Sequence, residues 1–285
     1  MDIFVKKLSG HSGCELDLLK VDEIFVVRKS SSQKSYNQRL RKQCVKQMKF
    51  ISSGIYAPKV VNHSTKNGLF SFDMEFVQGK TLAQYSSTIL ITEIADFIRL
   101  LFKTLYNENV ECNPNANIIF TKKIEELETK LYERTNLKDA FCKLKSFDWK
   151  YIYKSPCHGD LTLENIVISP NKKVYLIDFL DSFYNSWMID IAKLLQDLDI
   201  GWSFRNQEKN TTRDLRLLVA KEALIEEIQK MENSEIIIDA IYHLLLLNIV
   251  RIYPYTQDEK TLVFLNKAIE KTLKKLEKNK EEVRV

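Results

Sequence analysis

Hydrophobic and polar residues alternate along the first part of the chain, in the pattern of β-strands that bury one face. The alternation predicts three strands, over residues 3–8, 14–21 and 24–29. A glycine-containing segment separates the first two strands, and a turn at Asp22-Glu23 separates the second from the third. Consecutive short strands joined in this way form an antiparallel meander.

A helical pattern then replaces the alternation. Apolar side chains recur at every fourth position and predict a helix over 34–50 with one buried stripe. Two further strands are predicted over 59–62 and 69–77, because the Asn67-Gly68 pair between them is typical of a hairpin turn. The first part of the chain is therefore expected to be a small antiparallel sheet with one helix.

The remainder of the chain is mainly helical in pattern. We place a domain boundary at Gln78-Gly79-Lys80, which separates a domain over 1–78 from a domain over 79–285. Thr92 is a candidate N-cap for the next helix. Later helices are predicted over 122–145, 236–250 and 258–280. The predicted fold class is α+β, with a small antiparallel β-sheet lobe that carries one helix and a larger, mainly helical lobe.

Composition limits the possible functions. The formal net charge of +5 suits an anionic ligand such as a nucleotide without requiring nucleic acid. The five cysteines are scattered and include no C-x-x-C pair, which indicates neither disulfides nor a zinc site and favours a cytoplasmic location. The most apolar stretch, 236–250, is interrupted by polar residues and is short, so we expect a buried core helix and no membrane partner.

The densest group of chemically useful residues lies between positions 157 and 179. Asn165 follows Asp160 by five positions, and Asp178 comes after two predicted strands, 166–168 and 174–177. Kinase-type enzymes use an aspartate, an amide and a second aspartate in this arrangement for metal-assisted phosphoryl transfer. The spacing therefore predicts an ATP-dependent phosphotransferase.

A hairpin of these two strands would return Asp178 to the side of Asn165. Their oxygen atoms suit Mg²⁺, which binds few protein groups when phosphates are also ligands. Asp160 is the candidate to accept the proton of an acceptor hydroxyl group. Each of the three residues, taken singly, could equally cap a loop as Asx residues do, but their combination favours the catalytic interpretation.

The chain resembles the aminoglycoside phosphotransferase and choline kinase family, the small-molecule relatives of the protein kinases. The motifs that carry the resemblance are His158-Gly159-Asp160 with Asn165, then Ile177-Asp178-Phe179, then Asp190-Ile191-Ala192, and more weakly the hinge-like Met74-Glu75-Phe76-Val77-Gln78-Gly79. The resemblance implies a two-lobed, protein-kinase-like fold with a nucleotide-binding N-terminal lobe and a catalytic, acceptor-binding C-terminal lobe.

The resemblance also implies roles for the motif residues. Asp160 would be the catalytic base, and Asn165 and Asp178 would bind Mg²⁺. His158 and Asp190 would support the catalytic loop.

The backbone of Glu75 and Val77 would receive the adenine of ATP, with GTP as an alternative donor. An ordinary edge strand would also explain this segment if the downstream motifs were absent.

Phosphate contacts are expected from three other places. The loop Ser9-Gly10-His11-Ser12-Gly13 permits close backbone approach, although a plain hairpin turn explains it equally well. Arg28 and Lys29 point to opposite faces of the third strand, and the family's strand ending favours Arg28 as the phosphate-binding cation, with Lys29 as the second candidate. Gln43 stands where the family has an ion-pairing glutamate, and its amide is expected to hydrogen-bond Arg28 without neutralising it.

The acceptor is expected to be a small metabolite. Segment 179–189 is too short to hold a peptide as the activation segment of a protein kinase does. A hydroxyl group of a sugar, an amino alcohol or an aminoglycoside-like compound is therefore expected. Asp181, Asp197 and Asp199 would suit a polycation, whereas the chain as a whole is basic. The aromatic residues near them are candidates for a stacking wall, for a cage around a quaternary amine, or for the core: Tyr184, Trp187, Trp202 and Phe204.

Two other interpretations stay open at this point. Gln43, and the leucine in place of a glycine after Phe179, are compatible with a non-catalytic, kinase-like nucleotide-binding or scaffold protein. The basic residues of the predicted helix over 34–50 suggest a polyanionic partner, but no aromatic residues are interleaved with them, so nucleic acid is not expected. The sequence carries no prediction of oligomeric state.

Overall fold

In a computed structural model, residues 3–8, 14–106 and 113–282 are described. The chain forms two compact units. The first contains Met1–Gln84, His158–Asp160 and Glu164–Phe183, and the second contains Tyr85–Cys157, Leu161–Leu163 and Tyr184–Val285. The boundary predicted at residue 78 follows chain order rather than contacts, and it stays a prediction. The segment 9–13, with its five candidate phosphate-binding residues, lies outside the described residues.

The first unit is built on an antiparallel sheet with one helix packed on it. Its elements are β1 Ile3–Leu8, β2 Cys14–Val21, β3 Ile24–Ser31, helix α1 Asn37–Met48, β4 Ile55–Tyr56, β5 Val60–Lys66, β6 Leu69–Glu75 and β7 Lys80–Thr81. The larger sheet has the order β1-β2-β3-β6-β5. The predicted meander and the predicted second hairpin are thus confirmed.

The turn between β5 and β6 has the conformation that its two residues favour. Asn67 and Gly68 both have positive φ angles, 52° and 77°, as the expected two-residue hairpin turn requires. On the inner face of the sheet, Val27 packs in one apolar cluster with Leu40 and Cys44 of α1. This packing fixes α1 against the face of β3 that carries Val27 and Lys29.

A second, smaller sheet carries the motif residues of the first unit. Its hairpin strands are β8 Ile166–Ile168 and β9 Val174–Leu176, and the sheet order is β4-β9-β8-β7. Ile166 pairs with Leu176, so the residues just before β8 lie beside those just after β9. The predicted hairpin is confirmed.

Helices dominate the second unit. A short helix, α2 Leu82–Tyr85, ends at the first residue of this unit. The helices that follow are α3 Ile91–Leu105, α4 Ala116–Lys130, α5 Lys138–Lys145, α6 Trp187–Leu198, α7 Thr211–Gln229, α8 Ser234–Val250 and α9 Glu259–Glu282. The structure has the predicted α+β, two-lobed, kinase-like fold.

Two details of the helical predictions were wrong. Leu90, not Thr92, occupies the N-cap position of α3, and no side chain caps it. The helix predicted over 122–145 is divided into α4 and α5. Each of these helices buries its own apolar face, and the break lets both faces pack into the core.

Helix α8 is the predicted core helix. With its continuation to Tyr255 it is long and apolar enough to cross a membrane by length and composition, but 72% of its most apolar window is buried inside the protein. That burial supports a core role.

Candidate active site

Asp160 and Asn165 lie side by side in the first unit. The Asn165 Nδ2 donates hydrogen bonds to the backbone oxygen of Asp160 at 2.8 Å and to its Oδ2 at 3.3 Å. Asn165 ends a 3-10 turn that leads directly into β8, which fixes the position of its Cα. Because the amide nitrogen is engaged by Asp160, the Oδ1 atom of Asn165 is available to a cation.

The hairpin brings Asp178 to the same place. The N–H of Ile177 donates to the carbonyl oxygen of Asn165 at 2.9 Å, so Asp178 follows immediately after a direct contact with Asn165. Asp178 has a φ angle of 61°, a left-handed conformation that is uncommon outside glycine. Such conformations persist where the surrounding structure enforces them, often at functional sites. The expected placement of Asp178 next to Asn165 is confirmed.

His158 supports the loop as a neutral side chain. Its Nδ1 accepts the N–H of Asp160 at 3.3 Å, so the proton is on Nε2, which donates to the carbonyl oxygen of Ile177 at 2.8 Å. Complete burial lowers the pKa of His158 to about 4, although the carboxylates of Asp160 and Asp178 oppose that change. The imidazole therefore links the backbone at Asp160 to the end of the strand that precedes Asp178.

Gly159 is required by the same loop. Its φ angle is +93°, and a Cβ atom there would lie 2.4 Å from the Ser182 Oγ and 2.7 Å from the carbonyl oxygen of Leu180. Any other residue at this position would be strained in its backbone and would clash with these two atoms.

The expectation that Arg28 would contact Gln43 was wrong. Lys29 is the buried cation: its Nζ donates to Gln43 Oε1 at 2.9 Å and to Asp178 Oδ1 at 2.5 Å. Arg28 points to the opposite face of the sheet, where it forms a two-point ion pair with Asp73, its cross-strand neighbour on β6. Lys29 shares its face with Val27, and α1 packs on that face, so Lys29 meets Gln43.

Lys46 is a residue of the site that the sequence argument missed. Its Nζ donates to the carbonyl oxygen of Leu180 at 2.8 Å, which holds α1 against the segment that follows Asp178. Lys42, one turn earlier, contacts Asp181 at 3.5 Å. Lys46 follows Gln43 by three positions and so lies on the same helix face, which was the available signal.

The hinge-like segment offers part of the expected hydrogen bonding. The N–H of Glu75 is engaged by the carbonyl oxygen of Lys59 at 2.9 Å, so Glu75 could offer a base only its carbonyl group. Within the described part of the chain, no hydrogen bond engages the N–H of Val77. A cavity of about 320 Å³ adjoins this segment, and its lining residues are Glu75, Phe76, Val77, Gln78, Ser169, Pro170, Asn171 and Tyr175.

In the second unit, Asp197 accepts hydrogen bonds from two backbone N–H groups. Its Oδ2 accepts the N–H of Leu163 at 2.7 Å and its Oδ1 accepts the N–H of Ser203 at 2.8 Å. Asp190 is fully buried on the same helix, α6. The sequence placed Asp197 in an acidic group, but its position seven residues after Asp190, two turns along one face, pointed to this contact.

The other candidate acceptor residues are mostly engaged within their own units. Lys221 and Lys271 both contact Asp199, at 3.4 and 3.1 Å. Tyr184 and Trp187 are core residues with exposures of 4% and 0%.

Guanidinium groups cover two of the aromatic rings. Arg205 lies over the Trp202 ring at 4.0 Å, and Arg213 lies over the Phe204 ring at 4.3 Å. Of the three interpretations of the aromatic residues, the core role holds for Tyr184 and Trp187.

The donor set fits Mg²⁺ better than a transition metal. Among the described residues, no group of three or more His, Cys, Asp or Glu side chains could hold a metal ion. Asn165 and Asp178 present hard oxygen donors on adjoining segments, and the Asp178 carboxylate is about one-third exposed, at 32%. Mg²⁺ uses one or two such groups together with substrate phosphates.

Comparison with known proteins gives one family and one fold. A model described as the phosphotransferase enzyme family matches residues 18–221. No curated protein sequence matches the chain.

Several solved structures share the fold. Aminoglycoside phosphotransferase APH(4)-Ia has a TM-score of 0.64 at 10% identity, over 96% of this chain and 94% of that chain. A thermostable mutant of the same enzyme, in ternary complex with ADP and hygromycin B, gives 0.61 at 11% identity, over 94% and 92%. A protein assigned as a fructosamine-3-kinase from Haemophilus somnus 129PT gives 0.55 at 16% identity, over 95% and 92%.

Proposed function

Because the chain belongs to the phosphotransferase enzyme family and is a small-molecule kinase, we propose that it transfers the γ-phosphoryl group of ATP to a hydroxyl group of a small metabolite. The single observation that carries this proposal is the grouping of Asp160, Asn165 and Asp178 around one hairpin. The three side chains are the ones that the reaction needs for proton transfer and for metal binding.

Asp160 is the proposed base. It takes the proton from the acceptor hydroxyl as the oxygen bonds to the γ-phosphorus, and the bond from the γ-phosphorus to the bridging oxygen breaks to release ADP. The hydrogen bonds from Asn165 to Asp160 support this role, because they hold the carboxylate and its backbone in one orientation.

Charge at the phosphates is the second requirement. Asn165 Oδ1 and the Asp178 carboxylate would hold Mg²⁺, which would neutralise charge on the phosphate oxygens. Lys29 is the proposed phosphate-binding cation, since its ammonium already contacts Asp178 and lies on the face that carries α1. The structural neighbour that binds ADP and hygromycin B supports a nucleotide donor and a small hydroxyl-bearing acceptor.

Release of ADP from ATP, or of GDP from GTP, measured with sugars, amino alcohols and aminoglycosides as acceptors, tests the proposal. Asp160→Asn should lower kcat by about 10²- to 10⁴-fold, the usual contribution of a general base, while ADP binding changes little. Glu164→Gln is the matched control, because Glu164 is exposed in the same loop and the substitution removes the same charge. Acceptor-dependent turnover by Asp160→Asn at the native rate would contradict the assignment, and so would nucleotide binding without turnover across the whole panel.

A further inference from the structure

Lys29 has an unusual set of partners for a buried cation. Only 2% of the residue is exposed, and its Nζ bonds one neutral oxygen, of Gln43, and one charged oxygen, of Asp178. Among the described residues, Asp178 is the one carboxylate paired with Lys29. The charge of the lysine is therefore balanced by the side chain that is also the proposed metal ligand.

Helix α1 offers Lys29 no second anion. The helix contains no acidic residue, and Gln43 is the residue that it places next to Lys29. The Nε2 of Gln43 donates to the Tyr36 hydroxyl at 3.2 Å, which keeps the Oε1 of Gln43 directed at Lys29. A carbonyl oxygen can accept a hydrogen bond from the ammonium group, but it cannot neutralise it.

This arrangement makes two ligands depend on each other. A divalent cation that takes the Asp178 carboxylate leaves Lys29 buried without a counter-ion, which is costly. Phosphate oxygens from a nucleotide would supply the missing negative charge, and a nucleotide that arrives without metal must compete with Asp178 for Lys29.

We propose that Gln43 makes the binding of the divalent metal and of the nucleotide strongly cooperative, because it leaves Lys29 with Asp178 as its counter-ion until both ligands are present. This inference rests on the proposed function, which assigns Asp178 to the metal and Lys29 to the phosphates. A glutamate at position 43 would hold the charge of Lys29 independently and would free Asp178 for the metal. By linkage, any change in how nucleotide affects metal affinity must appear equally in how metal affects nucleotide affinity.

The test measures binding rather than turnover. Mn²⁺, which prefers the same oxygen ligands as Mg²⁺, is titrated into the protein with and without ADP, and free Mn²⁺ is read by electron paramagnetic resonance. Gln43→Glu should bind Mn²⁺ without ADP about tenfold more tightly than the wild type, and the enhancement by ADP should fall by the same factor. Gln38→Glu is the matched control, since it adds the same charge at an exposed position of α1 and should leave the enhancement unchanged.

Lys29→Met provides a second variant that does not depend on how a glutamate folds at position 43. Without the ammonium group, Asp178 is free, so Mn²⁺ alone should bind more tightly than to the wild type. A purely structural role for Lys29 would weaken Mn²⁺ binding instead. If ADP enhances the affinity for Mn²⁺ equally in the wild type, Gln43→Glu and Gln38→Glu, the inference is overturned and the proposed function is left intact. If the wild type does not bind Mn²⁺ and ADP together, both the inference and the proposed function are overturned.

Discussion

Acid should destabilise this protein through His158. The pKa of the buried imidazole is lowered to about 4 from 6.5, because burial disfavours the charged form. As the pH falls below 6.5, the unfolded chain takes up a proton at this site that the folded protein does not accept until about pH 4. The stabilising contribution is therefore fully present above pH 6.5 and is lost as the pH falls toward 4.

The magnitude follows from the gap between the two pKa values. The gap corresponds to about 3 kcal/mol once the pH is below both values, and to a loss of about 2 kcal/mol between pH 7 and pH 5. A loss of this size is a large fraction of the stability of an ordinary domain. The physical origin is the complete burial of the ring, which disfavours the charged form, whereas the hydrogen bond from Nε2 to the carbonyl oxygen of Ile177 raises the pKa.

Urea unfolding at pH 7, 6 and 5, followed by circular dichroism, measures this loss. His158→Gln is the informative variant, because a glutamine can donate and accept the same hydrogen bonds but does not titrate. The free energy of unfolding of the wild type should fall by about 2 kcal/mol more than that of the variant between pH 7 and pH 5. Parallel curves for the two proteins would refute the reasoning and would mean that the ring is protonated, or accessible to water, in the folded state.

Three further substitutions test packing around the site, each by urea unfolding. Gly159→Ala should lower the free energy of unfolding by on the order of 3 kcal/mol, because it combines a positive φ angle with a steric clash. Gly54→Ala is the control and should lower it by about 1 kcal/mol, because Gly54 has a similar φ angle and no atom lies near its Cβ position. Equal losses of stability in the two variants would contradict the steric clash at Gly159. Lys46→Met should cost about 2 kcal/mol through loss of its charge-assisted hydrogen bond, and the exposed Lys49→Met on the same helix should be nearly neutral. Asp197→Asn should lower the free energy of unfolding by on the order of 3 kcal/mol, because an amide cannot accept both backbone N–H groups that the carboxylate accepts. A loss below about 0.5 kcal/mol would mean that these two hydrogen bonds do not stabilise the fold.

Much of the first unit was predictable because its signals are local. Alternation determined the strands, the Asn67-Gly68 pair determined a turn, and the spacing of Asp160, Asn165 and Asp178 required a hairpin to join them. These patterns depend on backbone conformations that a few neighbouring residues dictate. The breaks and caps of the helices were less predictable, since tertiary packing can place a leucine at an N-cap and divide a continuous helical pattern.

The orientation of Arg28 and Lys29 is an example of what the sequence alone cannot predict. Alternation establishes that the two side chains point to opposite faces of β3, but nothing local states which face receives α1. The packing of Val27 against the helix, and the cross-strand carboxylate opposite Arg28, show that Lys29 is the side chain that meets α1.

The acidic residues give the same lesson. Asp197 and Asp199 are alike in the sequence, yet one accepts two backbone N–H groups and the other is paired with two lysines from distant helices. The sequence by itself determined which side chains could do chemistry and how far apart they lie along the chain. The tertiary structure alone decided which partner each of them meets, because the partners come from segments far apart in sequence that only the packing of the core brings together.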